Sequence, residues 1–263
     1  MAGFAHEYKH IFFFFLLTGI LSGAPPATAE MGAAPPASYV SIGAYHRSLP
    51  RIEKMLKIKR LSFDAPVFIR IFKRENELEL WLAGRQEYKH YKTYSICFKS
   101  GKIGPKLHEG DRQSPEGFYS VGVGQMNPWS DFHLAFNLGY PNEYDRIYNR
   151  SGSALMIHGR CSSDGCFAMT DYYMDEIYTL ADQALTADQT AFQVHIFPFR
   201  LSEKNIDMQR SSPWHAFWMN LKEGYDFFEE RHIPPAVGVI DGRYVFSHPD
   251  EPTLPPQQVS LLY

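Results

Sequence analysis

A histidine and a cysteine lie eight residues apart in the segment 156–171, which reads Met-Ile-His-Gly-Arg-Cys-Ser-Ser-Asp-Gly-Cys-Phe-Ala-Met-Thr-Asp. The imidazole is His158 and the thiol is Cys166. A thiol with a reference pKa of about 8.5 is mostly protonated near pH 7, so a nucleophilic cysteine needs a base or a positive field beside it. His158 could supply that base across one loop. The residue types and their spacing therefore indicate nucleophilic chemistry at Cys166.

The residues between the two are mostly small. Gly159 follows the histidine, and Ser162, Ser163 and Gly165 precede the cysteine. Small residues let the backbone turn tightly, so that its N–H groups can point at a developing oxyanion, the interaction that usually contributes most to acyl transfer. We therefore predict that Ser163 and Gly165 belong to an oxyanion loop, and that Gly159 lets substrate approach the backbone.

Other interpretations of these residues stay open on residue types alone. Cys166 could be a buried structural thiol beside a core histidine, because free cysteine is among the most buried residue types. Together with Cys161, the pair could ligate zinc, although the usual paired Cys-x-x-Cys is missing. A redox pair of Cys161 and Cys166 is a third interpretation, and its four intervening residues fit the usual spacing poorly.

The His-Gly and Ser-x-Gly-Cys elements resemble the active-site motif of the YkuD-type L,D-transpeptidases, cysteine enzymes of the bacterial cell wall. Residues 114–119, Ser-Pro-Glu-Gly-Phe-Tyr, are similar to the turn that precedes the catalytic strand in that family. A closer resemblance is to the YafK branch of the family. It is carried by residues 104–107, 136–142, 165–171 and 195–200, and the likeness runs from about residue 65 to residue 246.

Two features depart from many family members. Asp164 and Ala168 stand where a histidine and an arginine are common, and the spacer between His158 and Cys166 is short. The YafK branch shares the short spacer. The resemblance implies attack of Cys166 on a peptidoglycan stem peptide, giving a thioester, with no metal or cofactor.

The acceptor stays open, because an amine and water need the same nucleophile, base and oxyanion hole. An amine gives a crosslink, whereas water gives an amidase that trims stem peptides or releases a wall-attached outer-membrane lipoprotein, as implied for members of the branch. A wall-binding protein without turnover is a second alternative, favoured by the changes at Asp164 and Ala168.

The N-terminus predicts an export signal and hence a periplasmic protein. Residues 1–10 are mostly polar, residues 11–21 form an apolar core of 11 residues, and Ala27-Thr28-Ala29 is a small-x-small cleavage site. A membrane span would need about 20 apolar residues, although an uncleaved anchor stays open. The net charge of −3 offers no basic stripe for nucleic acid.

The three cysteines are too few for a disulfide scaffold. In an oxidising compartment Cys161 could nevertheless pair with Cys166 or with Cys97. We expect Cys166 to be the free thiol, since a bridge to Cys161 would disable the nucleophile. The alternative is that Cys97 and Cys161 are unpaired core thiols.

The elements around the motif predict an α+β fold, mostly β. A helix with its apolar face at Ile52, Met55, Leu56 and Ile58 precedes a hairpin of residues 66–72 and 78–82. Further strands are predicted at residues 91–98, 153–157 and 192–199. Thr170 or Asp171 could cap the helix after the motif, and its apolar face is predicted at Met174, Ile177, Tyr178, Ala181, Ala184 and Leu185. A helical stripe is predicted at Trp214, Phe217, Trp218, Leu221, Tyr225 and Phe228.

A hairpin turning at Asp241-Gly242 and an extended tail from His248 complete the chain. These elements divide it into four predicted regions. They are a signal peptide (1–29), an N-terminal linker and helix (30–64), an L,D-transpeptidase-like catalytic domain (65–200) and a helical plus hairpin C-terminal extension (201–263).

Overall fold

The computed structural model describes residues 34–251. The predicted signal peptide and most of the predicted tail lie outside the described residues. The helices within that range are α1 (Tyr39–Lys59), α2 (Glu143–Ile147), α3 (Asp171–Thr186), α4 (Glu203–Asp207) and α5 (His215–Arg231). The strands are β1 (Val67–Phe72), β2 (Glu77–Ala83), β3 (Tyr88–Ser95), β4 (Phe98–Lys99), β5 (Gly117–Gly122), β6 (Met126–Asn127), β7 (Ala135–Asn137), β8 (Met156–His158), β9 (Phe167–Ala168), β10 (Ala191–Phe197), β11 (Ala236–Ile240) and β12 (Arg243–Ser247). With more strands than helices, the predicted α+β class is confirmed.

The first sheet has five strands in the order β3-β2-β1-β10-β5. The predicted hairpin is confirmed, because β1 pairs antiparallel with β2 along its whole length. Every residue of β1 is buried, since its two faces enter two apolar clusters. Ile69 packs in the cluster that includes α3, whereas the ring of Phe68 lies 4.7 Å from that of Phe228 on α5. This central strand therefore has no solvent face, which explains why five of its six residues are apolar. The exception, Arg70, is buried in an ion pair with Glu79.

The second sheet contains the candidate base His158 and has the order β4-β9-β8-β7-β6. β8 and β9 are parallel, with Ile157 opposite Phe167 and His158 opposite Ala168. The strand predicted at residues 153–157 instead covers Met156–His158. It begins late because Ala154 has a left-handed backbone with φ of 52°. His158 is thus a strand residue, held on both sides by neighbouring strands.

The strand predicted at residues 91–98 is wrong as a single element. β3 ends at Ser95, after which the Ile96 N–H donates to the Asn76 carbonyl and the Cys97 N–H donates to the Ala168 carbonyl. The chain therefore leaves the first sheet and enters the second within two residues. This crossing sets Cys97 beside the loop that carries the candidate nucleophile.

The first helix and the helix after the motif pack against each other. α1 begins at Ser38, whose hydroxyl accepts from the backbone N–H groups of Val40 and Ser41. Of the predicted apolar face of α1, Ile52 and Leu56 are buried. Ile58 is 64% exposed, so that part of the prediction is wrong: it lies about 200° around the helix from Leu56.

The apolar face predicted for the helix after the motif is confirmed, because all six of its residues are buried in α3. Thr170 is its N-cap and accepts from the Tyr173 N–H over 3.4 Å. Arg47 and Arg51 of α1 form ion pairs with Asp175 and Glu176 of α3. No helix among residues 34–251 has both the length and the apolar character of a membrane span.

The predicted C-terminal helix and hairpin are also confirmed. Five residues of the predicted stripe are buried in α5, namely Phe217, Trp218, Leu221, Tyr225 and Phe228. Trp214 is half-buried at the N-cap of the helix. β11 and β12 pair around Asp241 and Gly242, which have φ values of 49° and 72°, as a type I′ turn requires. Asn220 holds the hairpin on α5, since its side chain bonds the N–H and the carbonyl of Tyr244.

Candidate active site

Cys166 and His158 lie on the same face of neighbouring strands. His158 is opposite Ala168 in the parallel pair, and Cys166 comes two residues before Ala168. Because side chains alternate along a strand, Cys166 and His158 project to one side, diagonally across from each other. The fold thus places the two residues that the sequence indicated on neighbouring segments of one sheet, and no hydrogen bond joins the sulfur to the imidazole within residues 34–251.

The Cys166 sulfur is half-buried and hydrogen-bonded to the backbone. It accepts from the Met156 N–H over 3.3 Å, and its thiol faces the Ala154 carbonyl at 3.6 Å. Burial raises the pKa of the Cys166 thiol, while the Met156 N–H and the Ser163 hydroxyl oppose that shift. The resting sulfur is therefore a protonated thiol near neutral pH, and it needs a base to become a nucleophile.

His158 is the base available on that face. It is 3% exposed, and its ring packs on Phe132 with centroids 4.8 Å apart. Nδ1 lies 2.6 Å from the Gly159 carbonyl oxygen. Since a carbonyl only accepts, Nδ1 carries the proton and Nε2 keeps its lone pair. Burial lowers the pKa of His158, with the Gly159 carbonyl opposing, so the imidazole is neutral near pH 7.

The loop from Gly159 to Gly165 joins the two strands and contains the predicted oxyanion residues. Gly165 has φ of 104°, which favours glycine, and its N–H donates to Ser100 Oγ over 2.5 Å. In the resting structure that donor is therefore occupied. The Cys166 N–H has no hydrogen-bond partner among residues 34–251, so this donor beside the sulfur is available to an oxyanion. The oxyanion role of Gly165 stays a prediction.

Ser163 is placed beside the sulfur. Its hydroxyl is buried, has no hydrogen-bond partner among the described residues, and favours the thiolate form of Cys166. Asp164 is solvated: its side chain is 68% exposed and lies 3.7 Å from the side chain of Arg112, which is also exposed.

Gly159 is required by packing. A Cβ atom at Gly159 would lie 2.7 Å from Asp171 Oδ1, 2.8 Å from the Phe132 carbonyl oxygen and 2.9 Å from His133 Cβ. Protein atoms thus occupy the space beside its Cα. The predicted approach of substrate to the Gly159 backbone stays a prediction.

Several residues that support the site were not identified from the sequence. Ser114 donates its hydroxyl to the Cys166 carbonyl over 3.3 Å, and Ser100 binds the Gly165 N–H. Phe132 lies against His158, and Lys106, 3% exposed, favours the Cys166 thiolate through its charge. A signal existed for Ser114, which begins the Ser-Pro-x-Gly motif, and for Lys106, which lies in the segment 104–107 of the family resemblance. Ser100 and Phe132 come from distant segments without a local pattern.

Cys97 and Cys161 form a disulfide, and Cys166 is free. The expectation that Cys166 is the free thiol is confirmed, and both alternatives are wrong: Cys161 does not pair with Cys166, and Cys97 and Cys161 are not unpaired core thiols. The bridge anchors the loop between β8 and β9 to the segment between β3 and β4. Because Cys161 is bonded to Cys97, neither the redox pair with Cys166 nor the zinc set of His158, Cys161 and Cys166 fits the structure.

Comparison with known proteins identifies the family. The model of the YkuD family, the L,D-transpeptidase catalytic domain, matches residues 66–196. A protein of Escherichia coli (strain K12) named "Putative L,D-transpeptidase YafK" is 45% identical over 191 residues, which is 73% of this chain and 78% of that protein.

Two solved structures are more distant. A mutant of the helical cell shape determining protein Pgp2 from Campylobacter jejuni is 19% identical with a TM-score of 0.43, over 63% of this chain and 56% of that one. Bd1075 from Bdellovibrio bacteriovorus is 23% identical with a TM-score of 0.36, over 64% of this chain and 61% of that one. This chain thus spans less than two thirds of the length of either solved structure. The resemblance to YafK and to the YkuD motif is confirmed by the first two matches, and the chain belongs to the YkuD family of L,D-transpeptidase catalytic domains.

Proposed function

We propose that this protein is a peptidoglycan-modifying cysteine acyl transferase that acts on stem peptides in cell-wall crosslinking or remodelling. The observation that carries the proposal is the state of His158. Its Nδ1–H is held by the Gly159 carbonyl, which leaves Nε2 as the basic nitrogen on the sheet face of the free thiol Cys166. A neutral base next to a protonated thiol is the arrangement that general-base activation needs.

The first step forms a thioester. His158 Nε2 takes the thiol proton as the sulfur leaves the Ala154 carbonyl, and the sulfur attacks the carbonyl carbon of the stem peptide. The carbonyl oxygen becomes an oxyanion, which the free Cys166 N–H is suited to bind. When the intermediate collapses, the C–N bond breaks and the leaving amine takes the proton from His158.

The second step regenerates the thiol. His158 takes a proton from the acceptor, which attacks the thioester carbonyl, and the C–S bond breaks while His158 returns the proton to sulfur. An amine acceptor gives a new amide, whereas water gives a free carboxyl. Transfer to an amine is the activity of the family, and hydrolytic release of stem peptide or wall-linked lipoprotein is the rival, because both use these residues in the same way.

We infer that the protein works in the periplasm after export. Residues 1–29 have the composition of a signal peptide, and the Cys97–Cys161 disulfide fits an oxidising compartment. In the same proposal residues 30–64 form a linker and helix, residues 65–200 form the catalytic domain, and residues 201–263 form an extension.

The test is mass spectrometry of purified, lipoprotein-bearing wall sacculi incubated with the full protein in heavy-oxygen water. Unlabelled new amide crosslinks mean an amine acceptor, and label in a released carboxyl means water. Cys166→Ala is the control, and both products should disappear with it. If the wild-type protein binds sacculi but leaves every mass unchanged, the proposal is wrong and a non-catalytic wall-binding protein is the better description.

A further inference from the structure

The peptide group between Gly159 and Arg160 is hydrogen-bonded at both ends to ionisable side chains. Its carbonyl oxygen lies 2.6 Å from His158 Nδ1, and its N–H donates to Asp171 Oδ1 over 2.7 Å. The carbonyl and the N–H belong to one planar, conjugated unit and point in opposite directions across it. A carboxylate and the candidate catalytic base thus contact the two ends of a single dipole.

We propose that Asp171 is a positioning residue, which orients and polarises His158 through the Gly159–Arg160 peptide group. The catalytic part of this inference rests on the proposed function, whereas the effect of Asp171 on the state of His158 does not. Asp171 thus acts in place of a carboxylate that would bond the imidazole directly. One peptide group separates its carboxylate from the His158 ring.

Electrostatics gives the direction of the effect. A carboxylate at the N–H end draws the proton of the peptide towards itself and increases the negative charge on the Gly159 oxygen. Hydrogen bonds in such chains polarise one another, by about 10–30% per bond. The stronger acceptor holds the Nδ1–H tautomer of His158, and it stabilises the imidazolium that forms when Nε2 takes a proton.

The local sequence allows the carboxylate to reach this peptide. A Cβ at residue 159 would lie 2.7 Å from Asp171 Oδ1, so only glycine lets the carboxylate lie over the backbone there. Arg160 and Thr170 both have left-handed backbones, with φ of 58° and 68°, and the Thr170 N–H donates to the Arg160 carbonyl over 2.9 Å. The segment before α3 is therefore tied to the loop that follows His158.

A simpler role for Asp171 is to stabilise the start of α3, since acidic side chains favour helix N-termini. That role predicts no change at His158 when the charge is removed. Glu143 provides the matched control, because it occupies the same first position of α2 and its side chain forms no hydrogen bond or ion pair with the loop among the described residues.

Other charged or titratable groups near this loop must be the same in all the proteins that each measurement compares. Asp175 lies on α3, and Arg47 lies on α1. His133 precedes β7, and Lys106 lies between β4 and β5. The loop itself carries Arg160, Asp164 and Cys166. The isosteric change Asp171→Asn alters none of them and keeps an oxygen that can accept from the Arg160 N–H.

The experiment measures the tautomer and the titration of His158 by ¹⁵N NMR in the full protein, in a Cys166→Ala background that removes turnover. When Asp171 is present, His158 should be predominantly in the Nδ1–H tautomer. Asp171→Asn should shift the His158 titration to lower pH, and Asp171→Ala should in addition increase the Nε2–H tautomer. Glu143→Gln should leave both readings unchanged.

With Cys166 restored, Asp171→Asn should lower kcat/KM on the order of 10-fold, the loss expected when one hydrogen bond that stabilises the imidazolium is weakened. Asp171→Ala should lower it more. A His158 titration that coincides in the wild type, Asp171→Asn and Asp171→Ala would overturn the inference. A shifted titration in a protein that modifies no wall substrate would support the contact between Asp171 and His158 and contradict the proposed function instead.

Discussion

Lys73 and Glu116 form an ion pair of 3.0 Å in which both side chains are fully buried. Lys73 Nζ also donates to the carbonyl oxygens of Gly104 and Ser114, and Glu116 accepts from the Trp218 indole. The pair therefore connects β1, the turn that contains Ser114, and α5. Because Ser114 in turn bonds the Cys166 carbonyl, this buried charge network lies directly behind the candidate nucleophile.

Lys73→Met should destabilise the protein by about 3–5 kcal/mol, since it leaves the Glu116 carboxylate buried without its cation. Urea denaturation followed by circular dichroism measures the change. Arg210→Met, which breaks an exposed pair with Asp207, should cost about 1 kcal/mol or less. The double variant Lys73→Met/Glu116→Gln should recover part of the loss, and no recovery would mean that the charge of Glu116 is not the cause.

Cys166→Ala and Cys166→Ser should abolish turnover while changing the unfolding free energy little, because the sulfur is half-buried and makes only weak hydrogen bonds. Product formation from wall fragments and thermal unfolding are measured together. Wall-modifying activity retained by a well-folded Cys166→Ala protein would exclude the thioester mechanism.

His158→Ala should lower the rate by a factor on the order of 10² to 10⁴, the usual contribution of general-base assistance. The same variant should slow alkylation of Cys166 by iodoacetamide near neutral pH, because the neighbouring base is gone. His46→Ala, at an exposed position of α1, is the control for losing a histidine. An unchanged alkylation profile in His158→Ala would assign His158 a structural role.

The pH dependence of kcat/KM follows from the directions of two pKa shifts. Burial lowers the pKa of His158, so the base stays neutral to lower pH than an ordinary histidine. Burial raises the pKa of Cys166, so the thiol stays protonated through neutral pH. Activity should therefore be lost on the acid side only below about pH 6.5, the ordinary histidine value. An acid limb above the ordinary thiol pKa of about 8.5 would instead mean that turnover requires a preformed thiolate.

Loss of the Cys97–Cys161 disulfide should destabilise the protein and loosen the loop before Cys166. With 64 residues of separation, the chain-entropy estimate is about 4 kcal/mol. Denaturation of Cys97→Ala/Cys161→Ala should show this loss, and a reducing agent should reproduce it in the wild type. The double variant itself should not respond to the reductant, and a response there would point to chemistry at Cys166.

Local patterns in the sequence determined much of this protein. The apolar period of α3, the aromatic stripe of α5 and the Asp241-Gly242 turn predicted elements that the structure contains, because helix faces and two-residue turns depend on neighbours in the chain. The linked motifs around His158 and Cys166 identified the family for the same reason: the loop that joins the two residues is continuous in sequence.

Tertiary structure decided what the distant segments do. The choice of Cys97 as the partner of Cys161 depends on a strand that leaves one sheet for the other at Ile96, and no local pattern predicts that crossing. Ser100 reaches the Gly165 N–H in the same way, from a segment far along the chain. The contact of Asp171 with the Gly159–Arg160 peptide exists only because the loop folds back over the start of α3. Long-range pairing of this kind depends on the packing of the whole core, which residue types and spacing do not contain.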